Sequence, residues 1–190
     1  MGKPTLILAS QSPRRRDILA LALLPFDTLS VETDEIIDST LSVEENVTRI
    51  AWQKASAAAE IVKNRNTIII AADTVVAKGK SILGKPAGFD DAFAMLKSLQ
   101  NRTHRVYTGF VLLSNSKSHT ECISTTVEFD ALSDHEIQRY LLSQKPYDKA
   151  GSYGIQDPLM ACHIKRIDGC YYNVMGLPLS ALCKALKAFV

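Results

Sequence analysis

The sequence lacks long apolar runs and has few cysteines, and each shortage excludes a class of protein. No apolar run approaches the roughly 18 residues of a transmembrane helix, so we expect no membrane segment. The apolar stretch 5–9 is too short for the core of a signal peptide. Only 4 cysteines occur among 190 residues, with no C-x-x-C pair and no nearby histidine pattern, which argues against a zinc site. We expect reduced, structural thiols in a cytoplasmic protein.

Net charge and aromatic content are also low. The formal net charge is +2 and aromatic residues make up 7% of the chain. Proteins that bind nucleic acid concentrate basic residues on one face, and single-strand binders add aromatic side chains for stacking. We therefore expect neither a nucleic acid nor a membrane surface as partner. What is present is ordinary for a globular protein: 46% hydrophobic and 22% charged residues, in a chain long enough for a sizeable core.

Apolar periodicity alternates between strand and helix patterns along the chain. Two capping boxes, Ser42 with Glu45 and Ser133 with Glu136, predict helix starts, and Asp168-Gly169 is a hairpin signal. The order predicts a mixed-sheet α/β protein without a linker, with two lobes sharing one sheet. The predicted helices are 13–23, from Ser42 to about Lys63, 90–99, 134–142 and about 179–189. The predicted strands are 5–9, near 26–31, 67–77, 106–113, 121–129, 160–167 and 171–174.

The first strand leads into a helix whose first turn carries three arginines. Ser12 is a natural N-cap and Pro13 fits the first helical position. Cations in a first turn oppose the helix dipole, so local helix stability does not explain them. A polyanion bound between the helix N–H groups and the guanidinium groups would explain the three arginines. We therefore predict a phosphate-bearing small molecule as ligand.

Carboxylates occur at two places that suit a metal ion. Asp73 ends the most apolar run, 68–72, and acids that follow buried strands often lie at ligand sites. The alternative is that Asp73 caps a following turn. The acidic loop 32–38 contains Asp34 and Glu35; alone it would be a solvated turn, but together with Asp73 it could bind Mg²⁺.

Two later segments have the composition of functional loops. In Gly84-Lys85-Pro86 the glycine would let a ligand approach the backbone closely, and the proline would restrict the backbone after the lysine. A lysine in an exposed loop is the simpler interpretation. The segment Asp148–Gln156 combines charge, small residues and an amide. Basic residues, acidic residues and a glycine-containing loop together suit cleavage or transfer at a phosphate.

Seven motifs in register resemble those of the Maf family and extend over almost the whole chain. They are Ala9-Ser-Gln-Ser-Pro-Arg-Arg15, Asp34-Glu35, Ala71-Ala-Asp-Thr74, Gly84-Lys-Pro86, Asp148-Lys-Ala-Gly-Ser-Tyr-Gly-Ile-Gln156, Asp168-Gly169 and Gly176-Leu-Pro178. The resemblance implies a cytoplasmic nucleoside triphosphate pyrophosphatase that depends on Mg²⁺ or Mn²⁺ and serves nucleotide-pool housekeeping. It also implies a single domain over residues 1–190, with a fold related to inosine triphosphate pyrophosphatases. In that fold a mixed twisted sheet with flanking helices forms two lobes around a catalytic cleft.

The resemblance assigns roles to individual residues. Glu35 and Asp73 would bind the metal, and Asp73 would also orient or deprotonate the attacking water. Arg14, Lys54 and Lys85 would neutralise the phosphates, with Ser10 assisting. Arg15 would either do the same or pair with a structural carboxylate, and Arg16 would be solvated. Thr74 and Gln156 complete the predicted substrate-binding set.

Within the resemblance, three positions match the branch of the family that acts on dTTP and UTP: Arg14, Thr74 and Gln156. A glutamine amide can pair with the imide edge of uracil or thymine. The alternatives are the 7-methyl-GTP branch and a non-catalytic nucleotide-binding regulator. Two departures from the family pattern stand out, Gln53 before Lys54 and the stiff segment 157–160 after Gln156. The sequence leaves the oligomeric state open, a homodimer included.

Overall fold

The computed structural model describes residues 4–64, 66–79 and 81–189, which form an α/β fold on one mixed sheet. In this part of the chain the strands are β1 (Thr5–Ala9), β2 (Phe26–Leu29), β3 (Thr67–Lys78), β4 (Ser81–Leu83), β5 (Thr103–Leu113), β6 (Ser118–Phe129) and β7 (Ile164–Asp168). The helices are α1 (Pro13–Ala20), α2 (Val43–Ile61), α3 (Phe89–Leu99), α4 (Asp134–Gln144), α5 (Tyr171–Met175) and α6 (Leu179–Leu186). None of these helices has the length and apolarity that crossing a bilayer requires.

The strand order is β2-β1-β3-β5-β6-β7, with β4 paired to β3. β1 runs parallel to both β2 and β3, as expected for a chain that begins with a βαβ unit, and β4 runs antiparallel to β3. β6 and β7 are antiparallel, with an irregularity between Glu128 and Phe129. The short connection between β5 and β6 permits only an antiparallel pair, because a parallel pair needs a long crossover. The predicted mixed sheet with flanking helices is thus confirmed.

Helix α2 begins at the predicted capping box and packs unusually close to the sheet. Ser42 Oγ accepts a hydrogen bond from Glu45 N, and the Glu45 carboxylate accepts one from Ser42 N at 2.8 Å. A Cβ at Gly109 of β5 would lie 2.8 Å from the backbone nitrogen of Thr48 in α2. Glycine at this point therefore lets the helix approach the strand backbone directly.

The chain divides into two compact units, each built from separate segments. The first comprises Met1–Asp73, Thr108–Ile123 and Gly176–Val190, and the second comprises Thr74–Tyr107 and Ser124–Met175. The first has a core of small and branched side chains in which α2 contributes Ala51, Ala55 and Ala58. The second has a core that includes aromatic residues: Val76, Leu96, Leu99, Val106, Phe129, Ile137, Tyr140 and Tyr153 are among its buried members. Whether 1–190 is a single domain stays a prediction.

Of the two strands predicted near the C-terminus, 160–167 begins later than predicted, as β7 at Ile164, and 171–174 is wrong. Residues 160–163 form a 3₁₀ turn before β7, and 171–175 form helix α5 instead of the second strand of a hairpin. Gly169 has a φ of 131°, and the next residue, Cys170, bonds through its N–H and C=O to the hydroxyl of Thr125. The backbone at Cys170 is therefore satisfied by a side chain, and the chain turns into a helix.

Other differences lie at element ends. α1 ends at Ala20 where the prediction continued to residue 23, and α6 ends at Leu186 where the prediction continued to about residue 189. The short strand β4 was not predicted. β3 extends to Lys78, one residue beyond the predicted 67–77. Asp73 therefore lies inside the strand and neither ends it, as we expected, nor caps a turn.

Candidate active site

A buried lysine joins two carboxylates at the centre of the predicted site. Lys54 Nζ lies 2.7 Å from Glu35 Oε1 and 2.7 Å from Asp73 Oδ1. Lys54 is 7% exposed and Asp73 is 6% exposed, whereas the side chain of Glu35 is 36% exposed. The sequence predicted these three residues as phosphate and metal ligands, and the structure brings them together within the first unit. It also adds what the sequence did not predict, an ion triad in which one ammonium satisfies two carboxylates.

Each member of this triad is placed by a different element. Asp73 lies in β3, most of whose residues are buried, so its backbone has little freedom. Lys54 projects from α2, on the same helix face as the buried Ile50 and Ala58, which lie four residues before and after it. Glu35 lies in the irregular segment between β2 and α2. The position of a residue in such a segment depends on side chains from elsewhere.

Two polar side chains of α2 fix the segment that carries Glu35. The Asn46 side chain, fully buried, accepts from Asp38 N at 2.8 Å and donates to Asp38 O at 2.9 Å. Arg49 donates to the carbonyl of Ile36, the residue after Glu35. Sequence reasoning missed both residues. The available signal was a polar residue, Asn46, four and eight positions before Ile50 and Lys54 on an otherwise apolar helix face.

The arginines of α1 extend the positive charge of this site. Arg15, partly buried, donates through Nε to the carbonyl of Gly176 at 2.8 Å. Burial lowers the pKa of the Arg15 guanidinium, while the negative charges of Asp73 and Glu35 oppose that change and Arg14 adds to it. Arg15 therefore lies within electrostatic range of the triad. Its bond to a backbone carbonyl was not among the predicted alternatives, and it connects Arg15 to the first residue of the Gly176-Leu-Pro178 motif.

The beginning of α1 is only partly as predicted. Ser12 is the N-cap residue and Pro13 follows at the first helical position, but the Ser12 side chain makes no capping bond. Instead its backbone N–H donates to Ser10 Oγ at 3.1 Å. Arg16 is exposed, with its side chain 3.8 Å from that of Asp17, in agreement with a solvated residue.

The other three predicted ligands belong to the second unit. Thr74, partly buried, follows Asp73 in β3. Lys85 is exposed, and its neighbour Gly84 accepts a backbone hydrogen bond from Gly151 at 3.0 Å. This bond ties the lysine segment to the glycine-containing loop that ends at Gln156, which is itself exposed. The structure thus brings Lys85 and the Gln156 loop together within one unit.

The acidic side chains predicted to bind a metal are Glu35 and Asp73. Among the residues that the structure describes, no group of three or more His, Cys, Asp or Glu side chains could hold a metal ion. All four cysteines are free thiols, as predicted. Glu35 and Asp73 nevertheless direct one oxygen each toward a common point, now held by the Lys54 ammonium. Mg²⁺ is commonly bound through one or two carboxylates plus substrate phosphates, so these residues fit that ion.

Comparison with known proteins places this geometry in context. A family model described as Maf-like protein matches residues 5–189. A dTTP/UTP pyrophosphatase of Pelodictyon phaeoclathratiforme is 70% identical, with 100% of both chains covered. Proteins of the same name from Chlorobium chlorochromatii and Bacillus cereus (strain G9842) are 58% and 44% identical, covering 97% of this chain and 95% of each relative.

Proposed function

The chain belongs to the Maf family, and we propose on this basis that it hydrolyses dTTP and UTP to the nucleoside monophosphate and pyrophosphate. The names of its relatives supply the substrates. The observation that carries the proposal is the Glu35–Lys54–Asp73 triad, in which Lys54 and Asp73 are buried, near the arginines of α1. Three cations and two carboxylates give this site a formal surplus of positive charge, which suits a polyphosphate.

A divalent cation, Mg²⁺ or Mn²⁺, is the proposed cofactor. Glu35 and Asp73 would hold it, and when bound it would neutralise phosphate charge and make the α-phosphorus more electrophilic. Lys54 already bonds to one oxygen of each carboxylate. This lysine keeps the two carboxylates close together, because their mutual repulsion would otherwise separate them.

Asp73 is the proposed catalytic residue. Its rigid position in β3 suits a group that must orient a water molecule toward phosphorus. Oδ1 accepts from Lys54 at 2.7 Å, so the water would be oriented and its proton accepted by the second oxygen, Oδ2. A carboxylate that is almost fully buried acts in a low-dielectric environment, where its charge interacts more strongly than in water.

Phosphate binding is assigned to the cations and to the start of α1. Arg14 and Lys54 would neutralise charge that grows on the phosphates during cleavage, and the anchored Arg15 would add a fixed positive charge. Ser10 would assist. By the family resemblance, Lys85 would contribute a further cation, while Thr74 and Gln156 would contact the nucleoside. The Gln156 amide offers both an acceptor and a donor to the imide edge of uracil or thymine.

The partner of this enzyme is a nucleoside triphosphate in the cytoplasm, with no nucleic acid or membrane involved. A homodimer is an additional prediction, which sedimentation equilibrium would test.

A nucleotide panel tests the proposal. We expect purified protein with Mg²⁺ or Mn²⁺ to release pyrophosphate from dTTP and UTP, faster than from CTP, dGTP or 7-methyl-GTP. Chromatography should identify the monophosphate as the second product. Faster turnover of 7-methyl-GTP would assign the chain to the other branch, and tight nucleotide binding without turnover would indicate a regulator.

A further inference from the structure

The side chain of Gln156 extends from a tight turn whose other residues are buried. Asp157 N donates to Gly154 O at 3.0 Å, which closes a turn over residues 154–157. Of these four residues, Gly154, Ile155 and Asp157 are buried and Gln156 is exposed. The turn therefore presents one side chain, and the direction of that side chain depends on how firmly the turn is held.

One hydroxyl group of α4 contacts both ends of this turn. Tyr140 Oη accepts from Gly154 N at 3.1 Å and donates to Asp157 Oδ2 at 2.7 Å. Burial and the bond to Asp157 raise the pKa of Tyr140, so the hydroxyl keeps its proton and remains a donor. A Cβ at Gly154 would lie 2.5 Å from Asp157 Oδ1. The carboxylate thus fits against the turn because residue 154 is a glycine.

A buried ion pair completes the arrangement. Lys149 Nζ lies 2.5 Å from Asp157 Oδ2, with side-chain exposures of 14% and 9%. These two residues lie at the two ends of the loop that contains Gly151 and Gly154, so the pair closes that loop. Apolar residues of similar volume would often stabilise such a position as well or better, because burying two charges costs solvation energy. A retained buried pair therefore favours a role in fixing geometry.

We propose that Asp157, together with Tyr140 and Lys149, positions the turn that carries Gln156 and thereby sets the selectivity of the enzyme for uracil and thymine. This inference rests on the proposed function, because it assigns a role within base recognition. Asp157 is a positioning residue: it acts on the nucleotide only through Gln156. The consequence is a coupling between two neighbouring residues that a purely structural ion pair would not produce.

A double-mutant cycle on UTP hydrolysis tests this coupling. Asp157→Asn keeps the volume and an acceptor for Tyr140 but removes the charge that holds Lys149. We expect it to lower kcat/KM for UTP by about tenfold in the wild-type background, as for one lost polar contact in a closed site. In the Gln156→Ala background the same change should lower kcat/KM by less than about twofold, because no amide is left to position.

Two further variants separate this role from a loss of stability. Tyr140→Phe keeps the buried ring and removes only the hydroxyl, and it should show the same dependence on Gln156. Glu128→Gln alters a matched but more exposed ion pair, with Lys165 at 2.7 Å, and should leave kcat/KM unchanged. Equal losses for Asp157→Asn with and without Gln156 would overturn the inference. A wild-type protein that does not hydrolyse UTP would overturn the proposed function instead.

Discussion

Replacing Lys54 by methionine should make the stability of this protein depend on a divalent cation. Methionine preserves most of the buried side-chain volume but removes the ammonium that bonds to Glu35 and Asp73. Because each carboxylate oxygen lies 2.7 Å from Nζ, the two oxygens are no more than twice that distance apart. At an effective dielectric constant of about 20, two unit charges at that separation repel by about 3 kcal/mol. The partial exposure of Glu35 reduces this value.

Denaturant titration of wild type and Lys54→Met, with and without Mg²⁺, measures the effect. Without metal we expect the variant to lose about 3 kcal/mol of unfolding free energy. Mg²⁺ at tenfold its dissociation constant should restore about 1.4 kcal/mol in the variant. Lys165→Met, at the exposed pair with Glu128, should leave the unfolding free energy almost unchanged and gain nothing from Mg²⁺. If Lys54→Met is as stable as wild type without metal, or if Mg²⁺ does not reduce its loss of stability, the argument that the Lys54 ammonium occupies a cation position is refuted.

Three further predictions concern other parts of the molecule. Arg14→Ala should raise KM and lower kcat for triphosphates, and steady-state kinetics that leave both unchanged would make the arginine structural. Gln156→Glu should lower kcat/KM for UTP about tenfold or more relative to 7-methyl-GTP, since the amide donor is lost; an unchanged ratio would contradict base recognition. Burial lowers the pKa of His104 from 6.5 to about 4. As the pH decreases, the unfolded state therefore binds a proton before the folded state does, and the free energy of unfolding should fall by about 3 kcal/mol from pH 6.5 to pH 4. His104→Gln should remove that part of the pH dependence of unfolding, and an unchanged pH profile would exclude His104 as its source.

The fold was predictable where local chemistry determines it. Two capping boxes located the starts of α2 and α4, because Ser42 and Ser133 bond to backbone N–H groups within their own first turns. The apolar run in β3 predicted a strand buried on both faces. Helix α5 was not predictable in this way. Its start depends on the hydroxyl of Thr125, and Asn173 donates to Val106 O from 67 residues away.

The candidate site likewise has residues that the sequence predicted and contacts that it did not. The resemblance to the Maf family predicted Arg14, Glu35, Lys54 and Asp73 as site residues, and their catalytic and binding roles remain predictions. The hydrogen bond from Arg15 to Gly176 O could not be inferred, since a backbone carbonyl leaves no trace in the side-chain pattern. The contacts of Asp157 with Tyr140 and Lys149 could not be predicted from the sequence either. In the sequence this residue was only a departure from a glycine-rich pattern, and its burial against Tyr140 depends on the tertiary structure.

Asp73→Asn tests the central claim most directly, with Asp27→Asn as a matched change at an exposed residue of β2 in the same unit. Pyrophosphate release from UTP should be measured for both variants at saturating Mg²⁺, and thermal unfolding should confirm that each is folded. We expect Asp73→Asn to reduce kcat by at least about a thousandfold, because it removes the charge that orients water and holds the metal. Asp27→Asn should match wild type. Near wild-type turnover in folded Asp73→Asn would contradict the assignment of Asp73 as the catalytic residue.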